Sequence, residues 1–137
     1  MTEHQAQQIA ELINNQNQLV EKYSTADILG YNGETLFYSD SRDKIVCVLQ
    51  VRKVQWCQTE IEHLSVHIEN RRSGWARRLL AEAEQAAKRM GARVIQCTVR
   101  DNNEASTKLF FSAGYKQTNL FLNPESGNKV RVYQKVL

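Results

Sequence analysis

The chain has no long apolar run. None of its hydrophobic stretches approaches the roughly 20 residues that a membrane-spanning helix needs, and no membrane partner is expected. The opening residues, MTEHQAQQIAEL, lack the basic start and apolar segment of a secretory signal, so a cytoplasmic location is expected. Cysteine is scarce: Cys47, Cys57 and Cys97 are an odd number without metal-ligand spacing, which predicts reduced, intracellular thiols and no bound metal. A strong excess of one charge is also missing. The net charge of +3 suits an anionic ligand and is too mild to argue for nucleic acid. There is no internal repeat, linker or low-complexity tract. With 137 residues, 42% apolar and 24% charged, the chain is long enough for one globular domain with a real core, spanning 1–137, and too short for two ordinary ones.

What is present is organised around residues 59–91. Ile61, Leu64 and Val66, set among polar residues, make a strand-like run and predict a strand over 59–67. A basic loop follows, Arg71-Arg72-Ser73-Gly74-Trp75-Ala76. Residues 77–90 then read as a helix, with Leu79, Leu80, Ala83, Ala86, Ala87 and Met90 on one broad face. Gly91 sits where a helix end wants a left-handed residue. Strand, glycine-containing loop and helix together aim unpaired backbone N–H groups at an anion, and the helix dipole adds partial positive charge there. Arg71, Arg72, Arg77 and Arg78 crowd this end, where the dipole prefers acidic residues; a bound polyanion resolves the conflict.

The rest of the chain supplies a sheet and its cover. Thr2-x-x-Gln5 has capping-box form, and Ile9, Leu12 and Ile13 predict a helix ending near Asn14-Asn15. A second helical piece is expected over 19–29, stopped by Gly30. Strands are expected over 34–38 and 44–54, joined by a turn at 40–43, and the second has apolar residues on both faces, as a central strand would. Residues 93–99 read as a buried strand, making a right-handed crossover with the strand at 59–67. A helix capped within 101–103 runs to about 113 and stops at Gly114. Strands at 115–122 and 129–136 flank an Asn-Pro-containing turn as an antiparallel pair. The expected fold class is α/β, a mixed sheet of about six strands with helices on both faces.

Two segments carry a resemblance. Arg71-x-x-Gly74-x-Ala76 is similar to the Q/R-x-x-G-x-G/A signature of the GNAT N-acetyltransferase superfamily. Asn103-x-x-Ser106-x-x-Leu109-Phe110-x-x-x-Gly114-Tyr115 resembles the family's N-x-x-A-x-x-L-Y-x-x-x-G-F, at the family's spacing. With the last hairpin, the resemblance covers about four-fifths of the chain. It implies a GNAT-like fold that uses acetyl-CoA as cosubstrate. It also implies that the strand end Leu64, Ser65 and Val66 bonds the pantetheine arm, and that the loop Arg71, Arg72, Ser73, Gly74, Trp75, Ala76 and Arg77 wraps the pyrophosphate. Asn103 would bond the pantetheine arm, although a helix N-cap explains it equally well. The family begins with a strand before its first helix. No candidate for it is visible, so the chain is expected to lack that strand or to begin late.

Acyl transfer from a thioester to an amine requires a held donor, a neutral amine, a stabilised oxyanion and a departing thiolate. An alkylamine with a pKa near ~10.4 is mostly protonated at neutral pH and needs a base. Glu60 is the first candidate and Glu62 the second, both on one strand face, with a solvated strand carboxylate as the alternative for each. His63 and His67 are expected on the other face as surface or packing residues. Trp75 reads as packing on the helix and Cys97 as a buried, inert thiol. Phe110 stands where the family often has a tyrosine that protonates the leaving sulfur, and it has no proton to give. The leading function is therefore an acetyl-CoA-dependent N-acetyltransferase acting on an unidentified amine acceptor. The alternative is a non-catalytic acyl-CoA-binding or sensor module. A nucleic-acid-binding domain built on the arginines lacks interleaved aromatics and a recognition-helix pattern, and no nucleic-acid partner is expected. The edge hairpin at 115–136 leaves a homodimer open.

Overall fold

The computed structural model describes residues 1–17 and 21–137. Helix α1 (Glu3–Gln16) starts at the expected capping box: the Thr2 hydroxyl accepts from the Gln5 N–H while the Gln5 side chain accepts from the Thr2 N–H. Ala6, Ile9, Ala10, Leu12 and Ile13 form its buried stripe. Helix α2 (Thr25–Leu29) is shorter than the expected piece over 19–29, of which Leu19 and Val20 lie outside the described residues. The reason is local. Ser24 and Asp27 form a second capping box that sets the start. Just before it, the Tyr23 backbone N–H and C=O are both taken by the Asn14 side-chain amide, at 2.8 and 2.9 Å.

Six strands follow: β1 (Glu34–Ser39), β2 (Ile45–Gln55), β3 (Gln58–Val66), β4 (Val94–Arg100), β5 (Lys116–Leu122) and β6 (Lys129–Val136), in the sheet order β1-β2-β3-β4-β6-β5. Every pairing is antiparallel except β3 with β4, which helix α3 (Trp75–Arg89) connects as a crossover. Helix α4 (Glu104–Ser112) joins β4 to β5. Among the described residues no strand precedes α1. Strand β2 is buried from Ile45 to Val51, and its side chains feed two cores. Val46, Leu49 and Val51 pack under α3 with Leu79, Leu80, Ala83, Ala86 and Ala87. Ile45 and Val48 pack on the opposite face against Ile9, Ile13 and Ile28. Helices therefore cover both faces, as expected.

Two irregularities shape the middle of the sheet. In the β2–β3 ladder, Gln50 pairs with Glu62 and Val48 with Ser65, so His63 and Leu64 together oppose the single Leu49. This is a β-bulge, and His63 takes a left-handed backbone (φ 54°) to make it. The parallel β3–β4 ladder runs only from Gln58↔Val94 to Glu60↔Gln96. Strand β4 stays paired with β6 up to Arg100 and so parts from β3 beyond that point.

Candidate active site

A cavity of about 430 Å³ fills the wedge where β3 and β4 part. Its walls include Glu60, Glu62 and Leu64 from β3, Cys97 from β4, and Asn103 and Phe110 from the start and end of α4. Five expected site residues thus share one space: Glu60, Glu62, Leu64, Asn103 and Phe110. Ser65 and Val66 sit beside it but do not line it. Ser65 is buried, donates to the His63 carbonyl at 3.1 Å and accepts from the Asn17 side chain at 2.9 Å, tying the end of α1 to β3. Val66 pairs with Cys47.

The basic loop lies outside the cavity lining, at the N-terminus of α3. Helix α3 begins two residues earlier than expected, because Gly74 (φ 82°) occupies the cap position in a left-handed conformation. Arg72 is left-handed as well (φ 62°). The helix has no side-chain cap and no acidic residue in its first turn, so its leading N–H groups remain available. Nothing lies within 4 Å of where a Cβ on Gly74 would stand, so the demand for glycine there is conformational. Ser73 donates its hydroxyl to the Asn70 carbonyl, and Arg71 donates to the Gln16 side chain. Arg77 donates to the Ser112 hydroxyl at 2.8 Å. Arg78 lies over the rings of Trp75 (5.1 Å) and Tyr38 (5.5 Å). Trp75 is half-buried against the core under α3, as its packing reading anticipated, and Ala76 is half-buried beside it.

The two carboxylates of β3 have different surroundings. Glu62 accepts from Arg52 Nε at 2.7 Å and from the Tyr31 hydroxyl at 3.0 Å. Burial, with Glu62 second, pushes the Tyr31 phenol far above its ordinary range. Among the described residues Glu60 has no ion pair of its own: Arg52, opposite it in the β2–β3 ladder, feels its charge but bonds Glu62, and a side-chain amide, Gln96 Nε2, approaches Glu60 at 3.5 Å. That amide ends a ladder of glutamines across the sheet, Gln58 and Gln134 both donating to Gln96 Oε1 at 2.9 and 2.7 Å.

His63 differs from the expectation. Strict alternation puts it on the face away from Glu60 and Glu62, yet it lines the same cavity as both. The bulge adds one residue to β3 and so turns His63 to the side of its neighbour Glu62; its trace in the sequence is the apolar phase, which passes from Ile61 to Leu64 and Val66, all packed against one core. Its Nδ1 lies 2.9 Å from Gln50 Oε1, and its ring meets Tyr23 edge-on at 4.6 Å. Burial lowers its pKa, with the Glu62 charge opposing. His67 lies outside the cavity, where its Nδ1 accepts from the Glu69 N–H at 3.3 Å.

The far wall is apolar. Phe110 is buried and packs edge-on against Tyr115 at 5.2 Å. Cys97 is buried, and burial pushes its thiol well above the ordinary range, which keeps it unreactive. All three cysteines are free. Among the described residues no helix is long and apolar enough to cross a membrane.

Comparison with known proteins gives a consistent result. The model of the "Acetyltransferase (GNAT) family" matches residues 6–115. No curated protein matches the sequence significantly. Among solved structures, Ard1 from Thermoplasma volcanium superposes with a TM-score of 0.85 at 15% identity, over 100% of this chain and 94% of that one. A GNAT family acetyltransferase from Elizabethkingia anophelis with acetyl-CoA bound superposes with a TM-score of 0.78 at 16% identity, over 93% and 89%. The protein yncA from Salmonella typhimurium, with its cofactor acetyl-CoA, gives a TM-score of 0.82 at 18% identity, over 100% and 91%. At these identities the superpositions establish the fold.

Proposed function

The chain belongs to the acetyltransferase (GNAT) family, and we propose that it transfers an acetyl group from acetyl-CoA to a primary amine by direct attack of the amine on the thioester. The observation that carries this reading is the open wedge between β3 and β4 beyond Glu60 and Gln96, beside the uncapped N-terminus of α3. The residues present fit acetyl-CoA. The leading N–H groups of α3 and the loop at Arg72, Ser73 and Gly74 suit a pyrophosphate, and Arg71 and Arg77 flank them with exposed positive charge. The β3 backbone at Leu64, Ser65 and Val66, with no β4 ladder partner, suits the amide-bearing pantetheine arm. Asn103 accepts from the Ser106 N–H at 3.2 Å as an N-cap, which leaves its amide N–H₂ to donate into the cavity.

Glu62 is already neutralised by Arg52, so Glu60 is the carboxylate left to attract an ammonium group. Phe110 provides an apolar wall and no proton. A thiol with a pKa near ~8.5 departs tolerably without a side-chain acid, so this loss does not remove the activity. The reading includes a cytoplasmic location and pairing of the exposed edge strand β5 with a second copy. A second reading, a sensor that binds acyl-CoA without turnover, rests on Phe110 and on the absence, among the described residues, of a strand before α1.

Two measurements test the proposal. Thermal unfolding with acetyl-CoA at a hundred-fold excess over Kd should show about 2.7 kcal/mol of stabilisation, a shift of several degrees. Release of free CoA thiol should then appear with at least one member of a panel of peptides, polyamines and small amines. Binding without release across the panel would favour the sensor, and no binding at millimolar ligand would overturn both readings.

A further inference from the structure

The acetyl-transfer reading, on which this inference rests, leaves the proton acceptor unassigned. We propose that His63 Nε2 accepts the proton of the incoming amine, held for that task by a side-chain relay running Thr35–Gln50–His63. Gln50 is 1% exposed, a buried polar residue in the middle of β2. Its Nε2 donates to Thr35 Oγ1 at 3.1 Å, which turns its Oε1 toward His63 Nδ1 at 2.9 Å. An amide oxygen only accepts, so Nδ1 carries the ring hydrogen and Nε2 keeps a lone pair. Among the described residues nothing hydrogen-bonds Nε2. The ring lines the cavity and is steadied by the edge of Tyr23. The relay is the arrangement of a general base fixed in one tautomer by a third group.

The surrounding charges agree with that role. Glu62 sits next to His63, but Arg52 and Tyr31 occupy its carboxylate. Glu60 and Arg100 line the same cavity from β3 and β4. Burial outweighs the Glu62 charge and keeps the imidazole neutral at pH 7, able to accept a proton. Glu60 attracts the substrate as R–NH₃⁺ and His63 Nε2 takes one proton from it. The nitrogen lone pair then forms the C–N bond to the acetyl carbon as the C–S bond breaks. The departing thiolate takes a second proton from the nitrogen, directly or through water, and the imidazolium returns its proton to solvent. One proton is released per turnover, and Phe110 is not required as an acid.

His63→Asn tests this without disturbing the fold. Asn tolerates a left-handed backbone better than most residues, and its amide reproduces the Nδ1–H donor to Gln50 while removing the base. The variant should unfold cooperatively and keep the thermal shift with acetyl-CoA. On whichever panel amine the wild type acetylates, kcat should fall by ~10²–10⁴-fold and the acid limb of kcat/KM should disappear. A variant with wild-type turnover and an intact acid limb would overturn the assignment of His63 while leaving the acetyl-transfer reading intact. An inactive wild type that still binds acetyl-CoA would remove that reading and this proposal with it. Ring ¹⁵N shifts of the wild type give a check independent of any acceptor. At pH 7.5 they should show Nδ1 protonated and Nε2 bare, and a proton on Nε2 would refute the relay.

Discussion

Glu60 and Gln96 are the last paired residues of the β3–β4 ladder, and the cavity begins where their pairing ends. Up to that rung the parallel strands share hydrogen bonds. Beyond it β4 follows β6, while β3, past the bulge at His63, stays paired with β2. Ladder hydrogen bonds are exchanged for backbone groups that a ligand with amide bonds of its own can meet, which is how a stable sheet comes to hold a slot. Both ends of the broken ladder are then candidates for function.

Glu60→Gln should separate from Glu62→Gln in kinetics. The first removes the half-buried carboxylate that makes no ion pair among the described residues and should raise KM for a cationic amine by ~10-fold, equivalent to about 1.4 kcal/mol. The second leaves Arg52 and Tyr31 without their acceptor. Because the pair is part-exposed, at 42% and 23%, the loss should be about 1 kcal/mol, read as a lower Tm. Equal kinetic effects from both would place the two carboxylates in one role.

Gly74→Val should cost stability and binding together. A β-branched residue at φ 82° bears the left-handed penalty of roughly 1–2 kcal/mol or shifts the loop to escape it. In either case the N–H groups ahead of α3 move, and the thermal shift with acetyl-CoA should vanish while the protein still folds. An unchanged shift would separate the loop from the cofactor.

Tyr115→Phe should stabilise the protein. The Tyr115 hydroxyl is buried and has no hydrogen-bond partner among the described residues, and burial drives its pKa far upward. Removing an unsatisfied hydroxyl while keeping the ring against Phe110 should return about 1 kcal/mol. A calorimetric Tm below the wild type would indicate a partner for that hydroxyl.

The pH dependence of stability has a definite sign. Burial depresses the pKa of His63 in the folded state, so the unfolded chain binds its proton first as pH falls. The stabilisation is fully present above the ordinary value of about 6.5 and is lost as pH falls toward the folded value. Asp27 and Asp40, depressed by backbone N–H groups of Ser24 and of Lys44 and Arg42, behave alike in a lower window, below about 4. Tm should therefore begin to fall as pH drops below about 6.5, and His63→Asn should flatten that segment alone.

Capping boxes, glycine stops and apolar periodicity are local, and they are legible in the residues. Thr2 with Gln5, the stripe from Leu79 to Ala87 and the stop at Gly91 stand where their chemistry puts them. The loop at Arg71 to Ala76 and the helix cap at Asn103 are short-range motifs of the same kind, and each stands at the start of the helix that the residues predict. The start of α2 was missed although its capping box, Ser24 with Asp27, is in the sequence; the Asn14 side chain that bonds the Tyr23 backbone before it is not a sequence neighbour. Tertiary structure decided the rest. The pairing of Glu62 with Arg52 joins residues on two strands, and the bulge that brings His63 into the cavity lined by Glu60 is made in the register of β2 against β3. Side-chain direction along a strand is set by counting residues against a partner. One extra residue reverses it, and a single chain read in order carries no record of that partner.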